Sequence, residues 1–231
     1  MIYPVIARRL CRRGNPSLPE VFMKITQIVV GPIGTNCYLL CDEVQKVCAV
    51  IDPGDGAPRI LAAIAESGCI PQAIYLTHGH FDHHHAVAGL LEKYPDLPVY
   101  IHENDVEEES SDRSAWDMMF PRLSDNNQRY YAEGDVLHVG NITLTVMETP
   151  GHSRGSVCLL TEGVIFCGDT LFYANCGRTD FRGGSYPDML HSLARLAALP
   201  GDYQCLPGHE KFTTLDFERN HNPYMKEALS R

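Results

Sequence analysis

Three histidines and an aspartate fall within six residues in the stretch Thr77-His78-Gly79-His80-Phe81-Asp82-His83. The run Ala73-Ile74-Tyr75-Leu76 before it reads as a short buried strand. After it, Val87, Leu90, Leu91 and Tyr94 recur at helical spacing and Pro95 ends the pattern. The cluster therefore belongs where a strand gives way to a helix, a favoured place for chemistry in an α/β protein. In extended chain, residues two apart share a side, so His78 and His80 can aim at one ion. Asp82 and His83 fall where the chain turns and can face a second point nearby. Imidazole nitrogen and carboxylate oxygen suit Zn²⁺, and also Fe or Mn.

Composition narrows the partners. The 231 residues make one or at most two domains, with 44% apolar content to build a core. A net charge of −10 and the lack of a basic stripe speak against nucleic acid and an anionic membrane surface. No apolar stretch approaches the ~20 residues of a membrane span. Nine cysteines, Cys11, Cys37, Cys41, Cys48, Cys69, Cys158, Cys167, Cys176 and Cys205, form no C-x-x-C. Their odd number and their place in apolar runs mark small buried hydrophobes in a reducing, cytoplasmic compartment.

Residues 1–22 hold Arg8, Arg9, Arg12 and Arg13 among three prolines. They read as a poorly ordered extension, with one catalytic domain over 23–231. From Lys24 the chain is β-rich, with strands expected at Ile25–Val30, Cys37–Asp42 and Val47–Asp52. Asp52 at a strand end reads equally as a plain turn residue and as a support for a metal site. A helix around Ile60, Leu61 and Ile64 closes at Gly68. Pro98–Ile101 is a further strand, and Glu103–Glu109 an acidic, solvated helix. Trp116, Met118, Met119 and Phe120 form either a packing cluster or a lid. Val136–Val139 and Ile142–Met147 make a hairpin across Gly140-Asn141. Strands at Ser156–Leu160, Val164–Cys167 and Tyr203–Leu206 and a helix from Tyr186 to Ala197 complete the reading.

Three later turns carry the same residue types at strand ends: His152 in Pro150-Gly151-His152, Asp169 in Gly168-Asp169-Thr170, and His209 in Pro207-Gly208-His209. Convergence of such turns predicts one site along one edge of a sheet system.

With T-H-x-H-x-D-H, P-G-H, G-D-T and P-G-H in this order, the chain resembles the metallo-β-lactamase superfamily over about residues 24–225. It is most similar there to short glyoxalase II-like hydrolases, through Gly34-Thr35-Asn36-Cys37-Tyr38, Ile51-Asp52-Pro53-Gly54 and Gly177-Arg178-Thr179-Asp180-Phe181. The resemblance implies an α/β, four-layer αββα sandwich of two mixed sheets flanked by helices. It implies a first metal on His78, His80 and His152, a second on Asp82, His83 and His209, and Asp169 between them. The expected cofactors are two divalent ions, Zn²⁺ or a Zn/Fe/Mn mixture. The expected activity is hydrolysis of a small-molecule thioester by a hydroxide held between the metals, with Asp82 orienting it. Arg178 is the candidate substrate-binding residue. About twenty residues follow His209, so the C-terminal glutathione-binding domain of longer glyoxalase II enzymes is expected to be missing. A mononuclear iron persulfide dioxygenase and a non-catalytic metal-binding protein are the alternatives. His84, His85, His102, His138, His191 and His221 are read as non-ligands, and Cys176 as a bystander or a substrate contact.

Overall fold

The computed structural model describes residues 2–10, 21–106 and 126–231. Its first sheet joins seven strands in chain order: β1 (Ile2–Leu10), β2 (Val21–Val30), β3 (Thr35–Asp42), β4 (Val47–Ile51), β5 (Ile70–Tyr75), β6 (Val99–His102) and β7 (Gln128–Tyr131). The first four pair antiparallel, and β4 to β7 pair parallel. The parallel half needs crossovers. Helix α1 (Ala57–Ser67) supplies one, and α2 (Phe81–His84) with α3 (Val87–Lys93) supplies the next. Gly68 ends α1 in the left-handed region at φ 66°, the expected stop.

The second sheet holds β8 (Val136–Val139), β9 (Ile142–Glu148), β10 (Val157–Thr161) and β11 (Val164–Gly168), joined beyond a small ribbon of β12 (Leu171–Phe172) and β13 (Asn175–Cys176) by β14 (Gln204–Pro207) and β15 (Thr213–Thr214). Its order is β15-β14-β11-β10-β9-β8. The β8–β9 hairpin turns between Val139 and Ile142, as the sequence predicts. Helices α4 (Tyr186–Ala197), α5 (Leu215–His221) and α6 (Pro223–Leu229) cover this sheet.

Alternation along the strands builds four layers. On β3, Tyr38 and Leu40 face the other sheet and pack with Phe166, Leu159 and Leu144, whereas Cys37, Leu39 and Cys41 face α1 and α3. On the second sheet, Ile165 and Cys167 of β11 face the α4 residues Met189, Leu193 and Leu196. The result is the expected αββα sandwich. The eight described cysteines are buried and free of disulfides, all in the two helix-facing clusters, Cys176 from the ribbon strand β13.

Two expectations are corrected. Residues 2–10 are not a loose tail: β1 pairs antiparallel along β2, with Val5 and Ile6 packed against the inter-sheet core. A register shift between Pro4 and Ile6 lets an edge strand carry a proline, which has no N–H for the ladder. Val21 and Phe22, at the end of the 1–22 segment, open β2, and residues 1 and 11–20 lie outside the described residues. The acidic helix expected over Glu103–Glu109 is instead one 3₁₀ turn, Glu103–Asp105, in which Asp105 is buried. Residues 107–109 and the Trp116 cluster lie outside the described residues.

Candidate metal centre

Strands β4, β5 and β6 run parallel, as do β11 and β14, and β9 runs with them through two antiparallel steps. Their C-terminal ends deliver Asp52, the 77–83 stretch, Asp105, His152, Asp169 and His209 to one edge of the sandwich. All seven residues predicted as ligands meet there. His78, His80 and His152 form one group and Asp82, His83 and His209 a second; within each, one donor atom per residue lies within 4.8 Å of the others. Asp169 stands between them: one carboxylate oxygen is 3.5 Å from His83 Nε2, the other 3.5 Å from His152 Nε2 and 3.6 Å from His209 Nε2.

Supporting bonds aim the rings. His152 Nδ1 donates to the Arg178 carbonyl at 2.7 Å, which turns Nε2 inward. His83 Nδ1 is 3.0 Å from Asp52 Oδ2, with the same outcome. Asp52 also accepts from Thr77 N and Thr77 Oγ1, both at 2.7 Å. The structure thus decides the role left open for Asp52: it is a buried support of the site, held at φ 50°. Thr35 Oγ1 donates to Asp82 Oδ2 at 3.0 Å.

The unbalanced electrostatics fit metal. Burial and the neighbouring His83 push His78 well below the ordinary imidazole range, and burial with His152 takes His80 down to about 4. Burial opposes the charged form of His83, but Asp169 and Asp52 outweigh it and its pKa stands well above the usual value. Burial likewise works against ionised Asp82, and hydrogen bonds from His209 and His83 overcome it and hold its carboxyl low. His78 Nε2 and Asp169 Oδ1 are buried without any hydrogen-bond partner. A buried orphan nitrogen and a buried orphan oxygen facing a cluster of donors are what a cation satisfies.

Two glycines are required by close approach. A side chain at Gly208 would begin 2.3 Å from Asp169 Oδ1 and 2.6 Å from His83 Cε1. At Gly54 it would begin 1.8 Å from the Asp82 carbonyl oxygen.

Above the cluster opens a cavity of about 380 Å³ walled by Ile33, Phe81, Phe172 and Phe181. Cys176 lines it as a neutral thiol, its pKa pushed up to about 11 by burial. Arg178 also lines it, but its guanidinium is held by Asp180 through two 2.7 Å bonds and lies over the Phe181 ring. His84 and His85 stand outside both ligand groups. His102 pairs with Glu148 at 3.1 Å, and His221 stacks on Phe217.

Sequence reasoning missed three supports. Asp105 accepts from Gly79 N, Ser153 Oγ and Gly155 N. Its place just past a parallel strand was the available signal. Asn36 donates to the carbonyls of Pro207 and Glu210, and Tyr38 Oη donates to Pro207 at 2.6 Å. The Gly-Thr-Asn-Cys-Tyr stretch of the first sheet therefore grips the His209 turn of the second.

Comparison with known proteins agrees with this geometry. Residues 30–209 match the family model described as the metallo-beta-lactamase superfamily. The probable metallo-hydrolase YqgX of Bacillus subtilis is 35% identical, over 88% of this chain and 98% of its own. A hydroxyacylglutathione hydrolase of Erwinia tasmaniensis is 37% identical over 78% of this chain, which spans only 64% of that relative. The crystal structure of TTHA1623 in a di-iron-bound form superposes with a TM-score of 0.72 at 37% identity, covering 86% of this chain and 98% of that one. A family match over most of the chain, on a four-layer sandwich that gathers seven histidines and aspartates at one edge, places this protein in the metallo-beta-lactamase superfamily.

Proposed function

We propose that this chain is a binuclear metal-dependent hydrolase that cleaves a thioester. One observation carries the reading: two three-residue donor groups, joined through Asp169 and containing two orphaned buried donor atoms, form the floor of an apolar-walled cavity. His78, His80 and His152 would hold one ion, Asp82, His83 and His209 the other, and Asp169 would contact both. Zinc is supported by the nitrogen-rich donor set. Iron is supported by the di-iron form of TTHA1623.

When bound, such ions lower the pKa of a coordinated water from ~15.7 toward ~7 and polarise a carbonyl. The protein supplies position and exclusion. Asp52 and the Arg178 carbonyl fix His83 and His152 in the ring orientation that points Nε2 inward. Thr35 restrains the Asp82 carboxylate, the acceptor best placed to orient an attacking water. Ile33, Phe81, Phe172 and Phe181 keep bulk water from the acyl carbon. In the overall reaction one water is consumed, its oxygen bonds to the carbonyl carbon and the carbon–sulfur bond breaks. A carboxylate and a thiol leave. A thiol departs with little acid assistance, in keeping with a cavity that presents no obvious general acid among the described residues.

Thioester cleavage rests on the similarity to hydroxyacylglutathione hydrolase. The test is turnover of S-lactoylglutathione and simpler thioesters by protein loaded in turn with Zn²⁺, Fe²⁺ and Mn²⁺, with metal content measured in parallel. Two ions per chain and thioesterase activity, both lost in Asp169→Ala, support the proposal. Two bound ions with no thioester cleaved would remove the substrate, and Asp169→Ala with full activity would remove the mechanism.

A further inference from the structure

Beside the main cavity lies a second one of about 200 Å³, and the two share Ile33, Phe81 and Asp82. Ile33 and Phe81 are 57% and 43% exposed, unusual for large apolar side chains at a polar site. They form a lip between the lobes. Beyond it the second lobe is walled by Gly31, Pro32, Gly54, Asp55 and His85.

Charge argues about what lies there. No lysine or arginine lines the second lobe among the described residues, and Asp55 is present, its Oδ1 taken by Gly56 N at 2.6 Å. In the main lobe the lining arginine, Arg178, is engaged by Asp180, and Glu210 adds a carboxylate at the wall. Among the described residues, a substrate arm bearing carboxylates, as glutathione does, finds no lysine in either lobe and no arginine but the one already paired with Asp180. An uncharged aliphatic arm finds Ile33 and Phe81 shared by both lobes, with Phe172 and Phe181 in the main lobe and Pro32 in the second.

We infer that the second lobe is an acyl-chain subsite, and that the substrate class is a thioester of a linear, medium-length aliphatic acid. The inference rests on the thioesterase reading above and extends it. The carbonyl lies by Asp82, the chain crosses the Ile33–Phe81 lip, and its end fills the second lobe. At the ~30 Å³ share of one water-sized group, this lobe takes about six methylenes. Specificity then comes from chain length, and the thiol part contributes little.

The experiment separates binding from turnover. S-alkyl-N-acetylcysteamine thioethers with two, four, six and eight carbons are titrated calorimetrically into the protein as purified, since thioethers cannot be hydrolysed. Affinity should rise by about fourfold per added methylene while the chain is being buried. His85→Trp, which adds bulk to the lining of the second lobe, should flatten the rise beyond four carbons. Pro32→Trp, at a second lining position on another segment, should do the same, which guards against a local folding defect in either variant. The matching thioesters with metal-loaded protein should show the same length dependence in kcat/KM, above that for S-lactoylglutathione. A length-independent series, or both variants superimposing on the parent, overturns the subsite. Length-dependent thioether binding with no thioester cleaved leaves the subsite standing and removes the thioesterase reading. Cleavage without length dependence does the reverse.

Discussion

One carboxylate oxygen of Asp105 accepts from Ser153 Oγ at 2.6 Å and from Gly79 N at 2.9 Å, so a single atom ties the His78–His80 turn to the His152 turn. The other oxygen accepts from Gly155 N at 2.6 Å. Asp105→Asn replaces one acceptor with an NH₂ group that faces an N–H or a hydroxyl. The expected losses are about 1–3 kcal/mol of stability and roughly 10- to 100-fold in metal affinity. Denaturant unfolding and competition with a chelator measure the two.

The same residue gives a pH signature. Burial raises the Asp105 pKa, and the bonds from Ser153, Gly79 and Gly155 offset this only in part. A carboxyl whose folded pKa exceeds its unfolded value, about 3.9, favours the folded state increasingly as pH falls through that interval. The stability advantage of the parent over Asp105→Asn should therefore widen as pH is lowered from 7 toward 4. Unfolding at a series of pH values reads it, and a constant or narrowing gap counts against the assignment.

Gly208→Ala should disable the site with little change in the core. Its methyl would begin 2.3 Å from Asp169 Oδ1, so the carboxylate must swing away from both donor groups. Metal stoichiometry and thioester turnover should fall together, turnover by at least tenfold, while the far-ultraviolet spectrum stays that of the parent.

Asn36→Ala should act on one donor group more than the other. The side chain holds the carbonyls of Pro207 and Glu210, on either side of His209, at 2.9 and 3.1 Å, and its remaining oxygen accepts from Gln27. Metal content should drop from two ions toward one, with about 1–2 kcal/mol lost from stability. Equal loss of both ions would contradict it.

Chelation should lower the melting temperature of the parent. At a free-ion concentration of 1,000 times Kd, binding contributes about 4 kcal/mol per site. Asp169→Ala, already without the carboxylate between the groups, should respond much less to chelator in a thermal scan.

Much of the site was legible because its residues announce themselves locally. His78, His80, Asp82 and His83 fall within six residues, and His152, Asp169 and His209 each follow an apolar run and sit beside a glycine. The supports were not, because each acquires its role from distant chain. Asp105 sits in an acidic stretch that reads as solvated, and its burial depends on donors at Ser153 and Gly155, about fifty residues on. Asp52 was ambiguous until Thr77 and His83 stood beside it. Strand β1, rich in arginine, is stabilised by a partner ladder that no local periodicity reveals. Strand β7 is only four residues long, with Tyr131 Oη donating to the Leu76 carbonyl across the sheet.

The two donor groups have a common anatomy. His78 and His80 follow β5 of the first sheet while His152 follows β9 of the second; Asp82 and His83 belong to the first sheet's side and His209 to the second's. Neither half of the sandwich owns a whole group. An ion at either proposed position would cross-link the halves, and its affinity would then be a ruler for their alignment. A repacked core far from any histidine, by shifting one sheet against the other, should then weaken both positions together. Ion uptake should then follow closure of the sandwich during folding, as a late event that seals the two halves.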